Sequence, residues 1–402
     1  MSGKIQNNTD RQSGVIGAAP SATAAAANPT RTTNPSGGVG TEWHNTTSGD
    51  IFICIDATSN ANQWVGMRDV AIQSRCFWAG GNSDNADEHT AANALRINEI
   101  SVINPSTLGN AVDFGDLLET NQYYRGTSNG KSDRGIFGGG FTPSASPTNV
   151  IQYFTCSTNG NCIDFGNLVV ARGSHGASSN GTSDRGMWHA GGVSGLDVAT
   201  DSMDYVTISS PGNATDFGNL TNTREYSSGT DNGTDDRGIN AGGIDTGGSP
   251  HLNEIDYWTI STTANAQDFG NLTETKTSPA TASNDTNNRG IFMCGYGSGS
   301  QTNAIDYITI SSTGNASDFG DMTGHDPGGY PTANGIRGHS SGTSNGTGER
   351  GLMAGGYTNI SSVQSWYQQI EYVTISSTGN STDFGNLPKR VYGPAACNNT
   401  FG

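Results

Sequence analysis

Asp204-Tyr205-Val206-Thr207-Ile208-Ser209-Ser210-Pro211-Gly212-Asn213-Ala214-Thr215-Asp216-Phe217-Gly218-Asn219-Leu220 decides the fold, because close copies of it recur along the chain. The stretch alternates apolar and polar side chains up to Ile208, turns at Gly212-Asn213 and runs on through Asp216-Phe217-Gly218. Two alternating runs joined by a Gly-Asn step read as antiparallel strands, since Gly and Asn accept the backbone angles of a tight hairpin. The Asp-Phe-Gly triplet opens at Asp113, Asp164, Asp216, Asp268, Asp318 and Asp383, at spacings of 51, 52, 52, 50 and 65 residues. Each follows a Gly-Asn step, with Ala264-Asn265 the one departure.

Working outward, the alternating run returns as Tyr257-Trp258-Thr259-Ile260, Tyr307-Ile308-Thr309-Ile310 and Tyr372-Val373-Thr374-Ile375. Upstream of it lies an Arg-led strand ending in glycines, such as Arg134-Gly135-Ile136-Phe137-Gly138-Gly139-Gly140. A small-residue strand such as Gly176-Ala177-Ser178-Ser179-Asn180 opens the unit. Four short strands in a period of about 50 residues match the kelch type of propeller blade. One such sheet cannot bury both faces, whereas a ring of them can and leaves only short, protected edges. The expected fold is all-β: a six-bladed propeller of four-stranded blades over residues 74–402. The first unit, from Ser74-Arg75-Cys76-Phe77-Trp78, lacks the small-residue strand, and Tyr392-Gly393-Pro394-Ala395-Ala396-Cys397-Asn398 resembles it. Residues 391–402 are therefore expected to complete blade one.

Composition agrees with many strands and turns. Gly numbers 58, hydrophobic residues make 32% and charged residues only 14%, low for a globular enzyme. A net charge of −17 would repel nucleic-acid phosphates. No apolar run is long enough to insert into a membrane, and the N-terminus shows no apolar core of a secretion signal. Cys156 and Cys162 flank one hairpin turn, where a bridge is open but unpaired thiols are favoured. Residues 1–40 are polar and lack periodicity, so an extended arm is expected. Residues 41–73 read as a small three-stranded docking sheet bounded by Trp43 and Trp64, too small to stand alone.

The repeat Asp-Tyr-Val-Thr-Ile-Ser-Ser-x-Gly-Asn-Ala-x-Asp-Phe-Gly-Asn-Leu resembles repeat proteins of marine bacteriophage virions, those infecting cyanobacteria in particular. The double glycines are kelch-like, although the usual kelch Tyr–Trp spacing is absent. The resemblance implies a virion location after synthesis in the host cytoplasm. It also implies attachment to other virion proteins through residues 1–73, and symmetric homo-oligomeric copies.

The search for chemistry returns mostly architecture. A kinase reading of Asp-Phe-Gly fails, since the triplet recurs six times without a phosphate loop or a His-Arg-Asp loop. Arg75, Arg134, Arg185, Arg237, Arg289 and Arg350 share one repeat position, and the six Asp-Phe-Gly aspartates another. Equal numbers at equal phase suggest structural Arg–carboxylate pairs. Loops such as Asp231-Asn232-Gly233-Thr234-Asp235-Asp236 resemble calcium loops but lack the bidentate Glu. They are read as tight turns, and no metal or cofactor is expected. Catalysis in a propeller needs acids or nucleophiles that break the symmetry, and the recurring acids obey it.

Second-to-third-strand loops and inter-repeat links vary most among the units, so one face is expected to be diverse. It carries Phe141, His251, His325, Tyr330, Tyr357, Trp366 and Tyr367. Exposed aromatics beside short polar groups suit sugars or proteins. The leading expectation is a non-enzymatic tail or head fibre or appendage protein, anchored by its N-terminus, whose propeller meets a host-surface glycan or protein. The alternative is a capsid-decoration, neck or tail component that stabilises the particle. A carbohydrate-active enzyme is the third class.

Overall fold

The computed structural model describes residues 23–400 apart from 28, 31, 47–50, 61, 67–73, 84–94, 131–132, 194–197, 248, 298–299, 325–334 and 361–362. The chain divides into two compact units, Met1–Gln73 and Ser74–Gly402.

The first unit holds one sheet, in the order Thr23–Ala25, Glu42–Asn45, Ile51–Asp56, Gln63–Gly66. Three of its strands lie within residues 41–73, and a fourth precedes them. The added strand, Thr23–Ala25, pairs in parallel with Trp43 to Asn45. Its small side chains carry no apolar period, and main-chain pairing holds it, helped by the Trp43 indole N–H donating to Ala27 O at 2.9 Å. Asn34 also ties its segment back, accepting from Asn60 N at 2.9 Å and Asn62 Nδ2 at 2.8 Å. Residues 23–40 are thus partly folded onto the sheet, where the sequence reading had an arm. Trp64 pairs with Cys54 through its backbone.

The second unit is all-β, a series of antiparallel sheets each built on four strands, propeller-like in kind. We number the repeats 1 to 6 by their Asp-Phe-Gly triplets. Repeat 3 shows the pattern: Gly176–Ser179, Arg185–His189, Thr200–Thr207 and Thr215–Arg224, in that order. In repeat 1 the sheet order is Ala395–Asn398, Cys76–Ala79, Glu99–Ile103, Val112–Asp116. The C-terminal strand therefore supplies the first strand of that sheet, with Ala396 opposite Trp78. Repeat 6 is enlarged by the hairpin strand Tyr357–Ile360, which pairs with Val363–Thr374.

The apolar core lies between successive sheets. Met187, Met203, Phe217 and Leu220 of repeat 3 pack with Trp258 and Ile260 of repeat 4. Leu352, Ile370 and Phe384 of repeat 6 pack in the same way with Trp78, Ile103 and Ala396 of repeat 1. Every Asp-Phe-Gly phenylalanine is buried, because period-two alternation turns it inward and its flanking Asp outward. All six cysteines are buried and free, Cys156 and Cys162 included.

Candidate functional site

Three layers, from the last strand of each sheet to the first, hold the repeats' engaged polar residues. At the outer edge the glycine of Asp-Phe-Gly is fixed by its neighbour. A Cβ on Gly166 would lie 2.3 Å from Gly212 O, and one on Gly385 2.3 Å from Gly109 O. The turn asparagine of the next repeat then caps the strand. Asn213 Oδ1 accepts from Asn167 N at 3.1 Å, and Asn110 Oδ1 accepts from Asn386 N at 3.0 Å. The motif Gly-Asn…Asp-Phe-Gly-Asn is thus a hook in one repeat and its eye in the one before.

The six repeat arginines sit one layer in, half-buried. Their expected pairing with the Asp-Phe-Gly aspartates does not form: all six aspartates are exposed, and no ion pair of the described residues joins the two sets. Alternation points those aspartates to water. Arg134, Arg185, Arg237, Arg289 and Arg350 instead lie over Tyr153, Tyr205, Tyr257, Tyr307 and Tyr372, at 4.1–4.6 Å from the ring centroids. Each also donates from Nη1 to a carbonyl of the next repeat, as Arg237 does to Ile310 O at 2.9 Å. Arg75 donates to Cys156 O at 2.8 Å, and Arg350 reaches Pro105 O of repeat 1 at 2.5 Å.

The recurring ion pairs belong to other residues. Arg172, Arg224 and Lys276, each eight positions after an Asp-Phe-Gly aspartate, are fully buried. They reach the third strand of the following repeat: Arg172 to Asp204 at 3.0 Å, Arg224 to Asp256 at 3.1 Å, Lys276 to Asp306 at 3.3 Å. Arg337, displaced by the longer link, pairs with Glu371. Backbone amides add to the acids, Thr221 N donating to Asp256 Oδ2 at 3.0 Å. Burial pushes Asp204 up and Arg172 down, and their mutual attraction offsets part of both shifts. Where the acid is absent the cation is absent too. Gln152 faces the Asn121 link, accepting from Leu118 N at 2.8 Å, and Ser101 corresponds to Val391. The signal for these pairs lay in the sequence, as a cation at fixed phase and an acid directly before the repeat tyrosine.

Beside the first strands, the link residues Tyr123, Ser174, Tyr226, Ser278 and His339 all take left-handed backbone, φ 50–56°, with Gly393 at 67°. Their amides run from repeat to repeat: Ser174 N to Tyr123 O at 2.7 Å, Tyr226 N to Ser174 O at 2.6 Å, Ser278 N to Tyr226 O at 2.6 Å. Gly393 N donates to His339 O at 2.8 Å, and Tyr123 N to Gly393 O at 3.0 Å. Large side chains alternate with small ones. Tyr123, Tyr226 and His339 meet edge to face with centroids 5.1–5.6 Å apart and form an aromatic plug. His339 is driven down to about 3 by desolvation, Arg125 adding to the effect, so it stays neutral.

This plug absorbs the aromatic residues expected to face outward. Phe141, Trp366 and Tyr367 are 1%, 8% and 5% exposed, which corrects the reading of them as a displayed surface. Phe141 packs near Tyr123, Trp366 packs on Tyr392 at 4.8 Å, and the Arg337 guanidinium lies 5.0 Å from the Tyr367 centroid. Tyr357 is half-buried and stacks on His339 at 5.5 Å. His251 is also half-buried, in a bridge with Ile244. His325 and Tyr330 lie outside the described residues. Large apolar rings that can pack against one another gain more by doing so than by meeting water.

Beyond the plug, the first strands of the repeats line a polar cavity of about 110 Å³. Its walls are Ser, Thr, Gly and Ala, with Arg125 toward the plug and Asp231 and Asp285 at the far mouth. Asp231 Oδ1 accepts from Gly233 N at 3.1 Å and Oδ2 from Ser179 N at 2.8 Å. Burial nevertheless raises Asp231 to about 6, and burial with the nearby Asp231 charge raises Asp285 to about 7. Asp231 opens the loop whose sequence resembles a calcium loop, whereas Asp285 carries no signal beyond its departure from its repeat position. No protein-family model matches this chain, and no curated protein matches it.

Proposed function

We propose that residues 74–402 form a closed six-bladed β-propeller and that the chain is a non-enzymatic structural protein of a bacteriophage virion. Closure is supported by contacts that run from repeat 6 to repeat 1 with the geometry of every other junction. The Asn386–Asn110 hook, the Arg350–Pro105 bond and the sheet begun by Ala395–Asn398 are three of them. The virion reading is supported by the resemblance of the repeat and by a binding-or-scaffold chemistry. The turn asparagines, the repeat arginines and the buried ion pairs are engaged in holding one repeat to the next. In this reading residues 1–73 anchor the protein to other virion proteins, and the rigid propeller is presented for contact with a host-surface glycan or protein.

One observation favours the second reading, a capsid-decoration or neck and tail component that stabilises the particle. The burial of Phe141, Trp366 and Tyr367 takes away the aromatic area that a receptor face would use. An adsorption competition separates the two. Purified full-length protein that binds host cells and slows particle adsorption supports attachment. Folded protein that does neither, with specific antibodies decorating the particle shell, supports the stabilising role. Absence of the protein from purified particles would overturn both.

A further inference from the structure

The wall of the polar cavity carries one cation without a counter-charge. Arg125 opens the first strand of repeat 2, and Gly176, Ser228, Ala280, Ser341 and Ala395 hold the same place in the other repeats. Small residues at that level leave room at the plug end, where the long side chain of Arg125 lines the cavity. Desolvation there pulls the guanidinium down to about 10, so it stays charged at neutral pH.

The partners of Arg125 are few. Among the described residues its side chain makes one hydrogen bond, Nη1 donating to Tyr124 O at 3.1 Å, and no carboxylate comes within ion-pair reach. The buried cations Arg172, Arg224, Lys276 and Arg337, by contrast, each meet an acid. Asp231 stands level with Ser128, three residues and roughly 10 Å along the strand from Arg125. A desolvated charge is ordinarily paired, and one left unpaired costs stability unless something in the cavity meets it. A second group at the same level has the same need. Ser228 lines the cavity, is 2% exposed, and its Oγ has no hydrogen-bond partner in the protein. A buried hydroxyl without a partner calls for an occupant that accepts from it.

We propose that the plug end of this cavity binds a small oxyanion, of the sulfate or phosphate class, between the Arg125 guanidinium and the Ser228 hydroxyl. The guanidinium is a planar fork of N–H donors matched to the paired oxygens of such an ion, and the serine adds an O–H donor. The cavity of about 110 Å³ admits the ion with a few waters, since one water needs roughly 10–15 Å³ of such space. Tyr123 and His339, beside Arg125, are both neutral, so no negative charge competes at this end. The carboxylates of Asp231 and Asp285 at the far mouth disfavour a long polyanion. The inference is independent of the virion reading.

The full-length protein tests it by titration calorimetry and calorimetric melting. Sodium sulfate and sodium phosphate form two arms, with sodium chloride at matched ionic strength as the control. Millimolar concentrations keep the general stabilising effect of these salts small. The wild type should bind one of the two saturably and melt higher in it than in chloride, and the tighter arm identifies the ion. Arg125→Ser, which installs the residue of repeats 4 and 6, should lose affinity by about tenfold or more as charge-assisted bonds are removed. It should also melt higher than the wild type in chloride, where the unpaired charge is gone. Arg125→Gln, closer in size and uncharged, should lose the affinity equally, and Ser228→Ala should weaken binding a few-fold. Saturable binding of neither ion by the wild type would overturn the proposal. So would wild-type affinity in a folded Arg125→Ser or Arg125→Gln.

Discussion

The outer edge and the cavity mouth of residues 74–402 are products of the same repeat, yet they treat its symmetry in opposite ways. At the outer edge the Gly-Asn hook, the buried phenylalanine and the arginine bond recur from junction to junction, and each departure is matched across the junction. Ser101 faces the Val391 link and Gln152 faces the Asn121 link, so neither a charge nor a cation is left alone. At the mouth, Asp231 displaces a strand-end serine and is held by the amides of Gly233 and Ser179, whereas Asp285 displaces a left-handed glycine and leaves its buried Oδ2 without a hydrogen bond. Departures that are compensated maintain packing, and the one that is not leaves a buried acceptor unmet at a cost to stability.

The contrast can be broken most severely at the junction of the chain ends. Deleting residues 391–402 removes the first strand of the repeat 1 sheet and strips Trp78 and Phe77 of their cover. The expected outcome is loss of a single cooperative melting transition, checked by calorimetry. An unchanged transition would mean that the terminal strand is dispensable.

The buried pairs come next. Asp256→Asn leaves Arg224 charged and enclosed, and should cost about 3–5 kcal/mol in denaturant unfolding. The double change Arg224→Asn with Asp256→Gln copies the neutral Asn121 and Gln152 junction. It should recover most of that loss, because a buried pair replaced as a unit is close to neutral. A double variant as unstable as the single one would show that the junctions are not interchangeable.

An intermediate effect is expected at the axial plug, with a defined pH window. His339 sits near 3 in the folded protein, below the free value of about 6.5. A depressed histidine stabilises the fold above its unfolded pKa, and that contribution is lost as pH falls from 6.5 toward 3. Relative to His339→Phe, the wild type should therefore lose about 2 kcal/mol between pH 7 and pH 5. Parallel stability curves for the two proteins would place the acid sensitivity elsewhere. Smallest is Arg237→Ala, which gives up one cation–π contact and one hydrogen bond at a half-buried site. A loss of about 1–2 kcal/mol is expected from chemical unfolding. A loss as large as that of Asp256→Asn would reverse the ranking of the two arginine layers.

The strands and their order were legible because alternation, Gly-Asn turns and a fixed period are all local signals. The terminal strand was legible for the same reason, since it resembles the opening strand of each repeat. Partnership was harder to read. Equal phase linked six arginines to six aspartates, but strand alternation sends those aspartates to water and leaves the arginines on tyrosine rings. The burial of the loop aromatics was not legible either, because it depends on where links from several repeats meet, not on any one of them. Thr23–Ala25 escaped notice because a parallel strand of Thr and Ala is held by backbone pairing and shows no apolar period. Asp231 was visible as the first acid of a loop that resembles a calcium loop, whereas Asp285 shows only when the turns are compared position by position, where a glycine-to-acid change looks slight.

The claim on which the rest depends is that the repeats close on themselves with the chain ends joined in one sheet. Electron-microscopic class averages of the full-length protein test it directly. The account predicts a disc of six lobes about a central depression. An open arc, or a disc with a different number of lobes, would contradict it.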